Sequence, residues 1–204
     1  MQINVYQGKV FLFLEILFSF MAVRKFSYEF DGVSYYRFSV YRLGSNVQTV
    51  YTFVLDDVLI DTAQSHNREN ILHVAQKHDI KKIILTHHHE DHSGNVGFLI
   101  DELKIDAYAH PETVRLLKRG LKLSPLAKLL SGSVGHAHLL PLTENSIIQT
   151  ANYNLQAIYT PGHCKDHYCY YEANKGWLFS GDLYVADKIK YFAKFESLLT
   201  QIEK

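Results

Sequence analysis

From Phe26 to Ile60 apolar and polar positions alternate as they do along half-buried strands, and aromatic and β-branched residues dominate. Asp31-Gly32, Gly44-Ser45-Asn46 and Asp56-Asp57 supply turns between these strands. The period then changes. Ile71, Leu72, Val74 and Ala75 fall on one face of a helix predicted from Asn70 to His78. A strand is expected from Lys82 to Thr86, a helix from Val96 to Leu103 and a strand from Ile105 to Ala109. The stretch from His110 to Leu130 reads as helical in part, with Pro111 as a start signal and Pro125 as a break. Strands return around Ile147-Ile148, Leu155 to Tyr159, His167 to Tyr171 and Gly176 to Ser180. Near the end, Phe195, Leu198, Leu199 and Ile202 recur at helical spacing with no glycine or proline stop behind them. Periodicity alone gives a mixed α and β chain. Strands first with helices interspersed outside them fit two packed sheets flanked by helices.

The N-terminus does not join this alternation. Val10 to Phe20 is strongly apolar, too short to span a bilayer and interrupted by Glu15. Lys9 is the only charge that would serve a signal peptide, and no small-x-small cleavage site precedes Arg24. Three readings stay open: a non-native or dispensable leader with Met21 as the start, a signal or anchor, or an integral element. The expected organisation is a leader over residues 1–21 and one domain over 22–204.

Composition narrows the class further. The 204 residues are enough to bury a sizeable core in one domain. The apolar fraction of 47% and the charged fraction of 21% are those of a soluble globular protein. A formal net charge of zero removes any global pull toward nucleic acid or acidic membrane, so neither is expected as a partner. Cys164 and Cys169 stand too close together for a disulfide framework, which makes a reducing, cytoplasmic compartment the default.

The densest chemistry lies directly after the apolar run Ile83-Ile84-Leu85. Residues 86 to 95 read Thr-His-His-His-Glu-Asp-His-Ser-Gly-Asn and hold the pattern H-x-H-x-D-H in His87, His89, Asp91 and His92. Neutral imidazole and carboxylate are ligand types that zinc takes when its site must stay open to water. One ion cannot easily use four such groups on one short loop. Two adjacent ions can, with His87 and His89 turned to one and Asp91 and His92 to the other. Downstream, Thr160-Pro161-Gly162-His163 and Ser180-Gly181-Asp182 each follow an apolar strand-like run and each end in a ligand-type residue.

Taken together, in this order and spacing, the motifs resemble those of the metallo-β-lactamase fold superfamily of metal-dependent hydrolases. The resemblance runs from about Tyr51 to Tyr191. Leu59-Ile60-Asp61-Thr62 is similar to the superfamily's early strand, whose aspartate supports the ligands from behind; the usual glycine after the threonine is Ala63 here. The resemblance implies an α+β fold, a four-layer αββα sandwich. It implies that His87, His89 and His163 hold a first metal, that Asp91 and His92 hold a second, and that Asp182 bridges both. It also implies zinc, one or two ions per chain, with iron(II) as the alternative. A metal-bound hydroxide would then attack an ester, thioester, lactone or related small-molecule substrate, with Asp91 also relaying a proton to the leaving group. His88 and Glu90 occupy the motif's variable positions and are expected to be solvated or to support the ligands.

The chain also departs from that pattern. Most members carry one more histidine, on a loop beyond the helix that follows the aspartate motif. Here Lys204 falls within that helix, so the last strand and helix are expected to be missing and the second metal position deficient. His136, His138 and His167 read as non-ligands. Tyr184 is either a hydrogen-bond donor to a substrate carbonyl or a packed strand-end tyrosine. Arg115, Lys118, Arg119, Lys122 and Lys128 form a basic segment, read as a solvated helix face or as an attractor for an anionic substrate. Cys164 reads as a small packed side chain. Beside the zinc hydrolase stand two alternatives, a mononuclear iron thiol dioxygenase and an inactive fragment of the fold. Substrate identity and oligomeric state stay open.

Overall fold

The computed structural model describes residues 21–183. The apolar leader, Tyr184 and the C-terminal helical pattern lie outside the described residues.

Three long antiparallel strands open the chain: β1 (Met21–Phe30), β2 (Val33–Arg42) and β3 (Ser45–Leu55). Their hairpins are tight because residues with positive φ sit at the turns, Asp31 with Gly32 and Leu43 with Gly44. The second turn is therefore Leu43-Gly44, and Ser45 and Asn46, expected in the turn, already belong to β3. Next come β4 (Val58–Ile60), β5 (Lys82–Ile84), β6 (Asp106–Ala109) and β7 (Leu140–Pro141). Strand β4 is antiparallel to β3, and β4 through β7 run parallel to one another. A second, antiparallel sheet holds β8 (Ile147–Gln149), β9 (Asn154–Tyr159), β10 (Tyr168–Glu172) and β11 (Trp177–Phe179) in the order β11-β10-β9-β8.

Parallel strands need crossovers, and helices supply them. These are α1 (Arg68–Lys77), α2 (Glu90–Ser93), α3 (Val96–Leu103), α4 (Pro111–Arg119) and α5 (Pro125–Ser131). Pro125 corrects the expected break. It is the first residue of α5, where a missing N–H costs nothing, and Ser124 caps it by accepting from the backbone N of Ala127 at 3.1 Å. The interruption of the basic segment is instead the stretch from Gly120 to Ser124, where Gly120 has φ of +77°.

The period-two alternation of the central strands sorts their side chains into two cores. Leu59 and Ile83 join Ile71 and Val74 of α1 and Val96 and Leu99 of α3 on one face of the large sheet. Val58, Ile60 and Ile84 point the other way, onto Leu155, Ala157, Tyr170 and Phe179 of the second sheet. All of these but Phe179, at 5% exposure, have no surface left in water, so each buried Leu or Ile stabilises the fold by about 1.5–3 kcal/mol. The layers are thus helix, sheet and sheet among the described residues, the sandwich of an αββα fold.

Candidate metal centre

The candidate ligands stand on loops at strand ends. Asp61 directly follows β4, His87 follows β5 across Leu85 and Thr86, His163 follows β9, and Asp182 follows β11. The crevice beyond the carboxyl ends of parallel strands is where open α/β sheets place ligands. His89 caps α2, and Ser93 fixes that turn by donating its hydroxyl to the carbonyls of His88 (2.7 Å) and His89 (3.0 Å). One helical turn therefore carries Asp91 and His92 back toward His87.

Four side chains converge: His87, His89, His163 and Asp182 each offer one ligand atom, and these atoms all lie within 4.8 Å of one another. His89 Nδ1 is 2.9 Å from His87 Nε2 and 2.8 Å from His163 Nε2, and His163 Nε2 is 3.4 Å from Asp182 Oδ2. A chain of hydrogen bonds sets the His87 ring. The Thr86 hydroxyl donates to Asp61 at 2.8 Å, so its oxygen is left to accept from His87 Nδ1 at 3.0 Å. His87 Nε2 is then a bare lone pair facing the cluster.

Asp91 and His92 lie beside this group. His92 Nε2 is 3.1 Å from Asp182 Oδ1 and 4.0 Å from Asp91 Oδ2. Among the described residues it has no well-aligned hydrogen-bond partner, so the approach to Asp182 is a charge contact between groups aimed at a shared point. Asp61 accepts from His92 Nδ1 at 2.8 Å and from the backbone N of Thr86 at 2.8 Å. One buried carboxylate thereby orients His92 and the His87 loop together. The tight backbone has strain: Asp61 has φ of +63° and Ala63 of +56°, a region that suits the glycine expected at position 63.

The electrostatics match a cation site. Burial holds His87 well below the ordinary imidazole range and takes His89 down to about 3, so both rings are neutral donors. Burial lowers His163 as well. Burial works against ionising Asp182, yet His92, His163 and His167 outweigh it and draw its carboxyl down to about 2. His92 goes the other way. Burial lowers it, but the carboxylates of Asp61, Asp91 and Asp182 together raise it well above its ordinary value. A proton on His92 thus balances carboxylates that a metal ion would balance instead. Neutral imidazoles with ionised carboxylate are a donor set for a borderline divalent ion such as zinc or iron.

Two residues support the centre from behind: Asp166, which the sequence reading did not single out, and His167, which it read as a non-ligand. Asp166, almost fully buried, accepts from His88 Nδ1 (2.9 Å), from the His88 backbone N (3.2 Å) and from the Thr113 hydroxyl (2.5 Å). His88 is thus tied down as a support, while Glu90 opens α2. Next to it, His167 is fully buried with its ring centroid 5.3 Å from that of His87; Nδ1 meets the Thr160 hydroxyl at 2.9 Å, and among the described residues Nε2 has no hydrogen-bond partner. His136 is exposed and bonds the Lys118 carbonyl, and His138 is exposed; neither joins the cluster. Cys164 lies with His88 and Asp166, and burial with the Asp166 charge holds its thiol protonated. Cys169 is buried, and both cysteines are free.

Among the described residues, two cavities flank the cluster. One, of about 500 Å³, lies between the sheets and is lined by Asp61, Asp91, His92 and Asp182 together with Tyr51 and Phe179. The other, of about 480 Å³, touches His88 and His89 and extends under the basic segment.

A helix-sheet-sheet sandwich with a histidine and aspartate cluster at its strand ends defines a scaffold able to hold metal. The profile described as "Metallo-beta-lactamase superfamily" matches residues 47–194, and the chain belongs to that superfamily of metallo-hydrolases. It is 29% identical over 126 residues to the hydroxyacylglutathione hydrolase of Legionella pneumophila (strain Corby), which covers 61% of this chain and 42% of the relative. It is 32% identical over 109 residues to the probable metallo-hydrolase YybB of Bacillus subtilis (strain 168), covering 53% of this chain and 47% of the relative. The chain therefore spans less than half the length of these curated relatives. Among solved structures, a metallo-β-lactamase of Cronobacter sakazakii with a HARLDQ motif superposes with a TM-score of 0.59 at 20% identity, over 76% of this chain and 62% of that one. Among the described residues no helix is long and apolar enough to cross a membrane.

Proposed function

We propose that the chain is a metal-dependent hydrolase acting on a small ester, lactone or thioester, with His87, His89, His163 and Asp182 holding a metal ion. Zinc is the proposed metal, with iron(II) as the alternative. Asp91 and His92 offer a second position that shares Asp182. The observation that carries this reading is the convergence of four ligand atoms from three separate loops within 4.8 Å. A thioester is favoured because the Legionella relative is named for one. When bound, such an ion supplies a Lewis acid and lowers the pKa of water toward ~7.

The chain's own residues then orient and move protons. Asp61 turns His92, through Nδ1, so that Nε2 faces Asp182. Asp91 is half-buried, and desolvation raises its carboxyl above the usual range, so it takes up and returns a proton more readily than an exposed aspartate. It is the proposed proton carrier between the attacking water and the leaving group.

The test is to express the chain with zinc and with iron, measure bound metal by mass spectrometry, and assay S-acyl thioesters against 4-nitrophenyl esters. Asp182→Ala should lower both metal content and turnover at least about tenfold, since the carboxylate serves both positions. Unchanged metal content and full turnover in that variant would refute the assignment.

A further inference from the structure

The cavity of about 480 Å³ beside His89 has two chemically distinct parts. Leu116, Leu121 and Leu123, all half-buried, give it an apolar floor. Exposed Arg119 and Lys122 stand at its rim, and among the described residues neither makes a hydrogen bond or ion pair. Arg115, also at the rim, is held by Glu112 through paired hydrogen bonds. Glu90 is the one carboxylate among the lining residues. Lys118 and Lys128 belong to the same basic segment but do not line the cavity, so the basic character is not merely a solvated helix face. Unengaged cations over apolar walls attract an anion more strongly than the same charges would on open surface.

We propose that this cavity is an anion subsite, taking a carboxylate or phosphate joined to a short apolar chain. The apolar part lies on the three leucines, the anion meets Arg119 and Lys122, and the remainder of the molecule is presented toward His89. That last step rests on the hydrolase reading; the binding itself does not.

Isothermal titration of the metal-loaded chain with hexanoate, hexyl phosphate and hexanol tests it. The expected result is that at least one anion binds at least about tenfold more tightly than hexanol, the preferred anion identifying the headgroup. Arg119→Glu with Lys122→Glu should weaken that binding about tenfold or more at unchanged metal content and melting temperature. Lys118→Glu with Lys128→Glu makes the same change in net charge outside the cavity and should shift it less than about threefold. Equal binding of hexanol and both anions, or an equal loss in the two double variants, would overturn the subsite. If the anion binds here and no ester or thioester is hydrolysed, the hydrolase reading falls while the subsite stands. A working hydrolase with a charge-blind cavity gives the reverse.

Discussion

Gly181 shows how little space the centre leaves. Its φ is +50°, and a Cβ there would lie 2.7 Å from His167 Nε2 and 2.9 Å from Thr86 Cβ. Neither neighbour can yield freely, since His167 is held by Thr160 and Thr86 by Asp61. Gly181→Ala combines a left-handed backbone with a buried clash, and should destabilise the fold by about 2–4 kcal/mol. It should also displace Asp182, the next residue, and lower metal content. Denaturant titration with metal analysis reads both effects, and an alanine variant as stable as the parent would show that the loop adapts. The glycine was visible in the Ser180-Gly181-Asp182 motif, but its reason was not. That reason is His167, a residue that spacing gave no cause to bring near the aspartate.

At the scale of elements, Asp166 couples three pieces of chain. From the loop between β9 and β10 it holds the His88 loop, 78 residues away, and α4 through Thr113. His88 and Thr113 outweigh burial and keep its carboxyl well below the usual range. Asp166→Ala leaves buried Thr113 and half-buried His88 without an acceptor and should cost about 2–3 kcal/mol of stability. It should weaken metal binding about tenfold as well, because the loop bearing His163 loses its tie to the loop bearing His87 and His89. Asp166→Asn, which keeps one acceptor oxygen, should recover part of both. Metal competition with a calibrated chelator is the measurement; equal affinity in all three proteins would limit Asp166 to local packing. Long-range ties of this kind were not legible in the sequence, because nothing local marks one end as the partner of the other. The candidate cluster was legible, since its imidazoles and carboxylates stand at short spacings in three local motifs. The long strands and α1 and α3 were legible through their periods. The four residues of α2 and the two of β7, a Leu-Pro pair with both side chains exposed, are too short to carry a period.

Burial holds His87, His89 and His167 neutral, and this sets the response of the whole molecule to acid. His89 and His167 are drawn down to about 3, and His87 lies well below its ordinary value, in each case mainly by burial. In the unfolded chain these rings take protons near pH 6.5. Between that pH and about 3 the unfolded state therefore binds more protons than the folded one, and stability falls as pH falls. His92 does not offset this. Its pKa is raised, so its contribution is fully present below pH 6.5 and is lost only as pH rises through its higher folded value. Asp166 and Asp182, both depressed, add a further loss below about pH 4, where the unfolded carboxyls take up protons first. For the chelator-treated chain the expected slope below pH 6 is on the order of 2–4 kcal/mol per pH unit, enough to exhaust a typical domain stability within a few units. Bound metal should raise the whole curve at neutral pH and shed that advantage on acidification, as protons compete for the same nitrogens. Urea midpoints at pH 7, 6 and 5, with and without zinc, measure both. Midpoints of the metal-free chain that stay level from pH 7 to 5 would mean that these histidines are not held neutral in the folded state, and would remove the electrostatic argument for a preformed cation site.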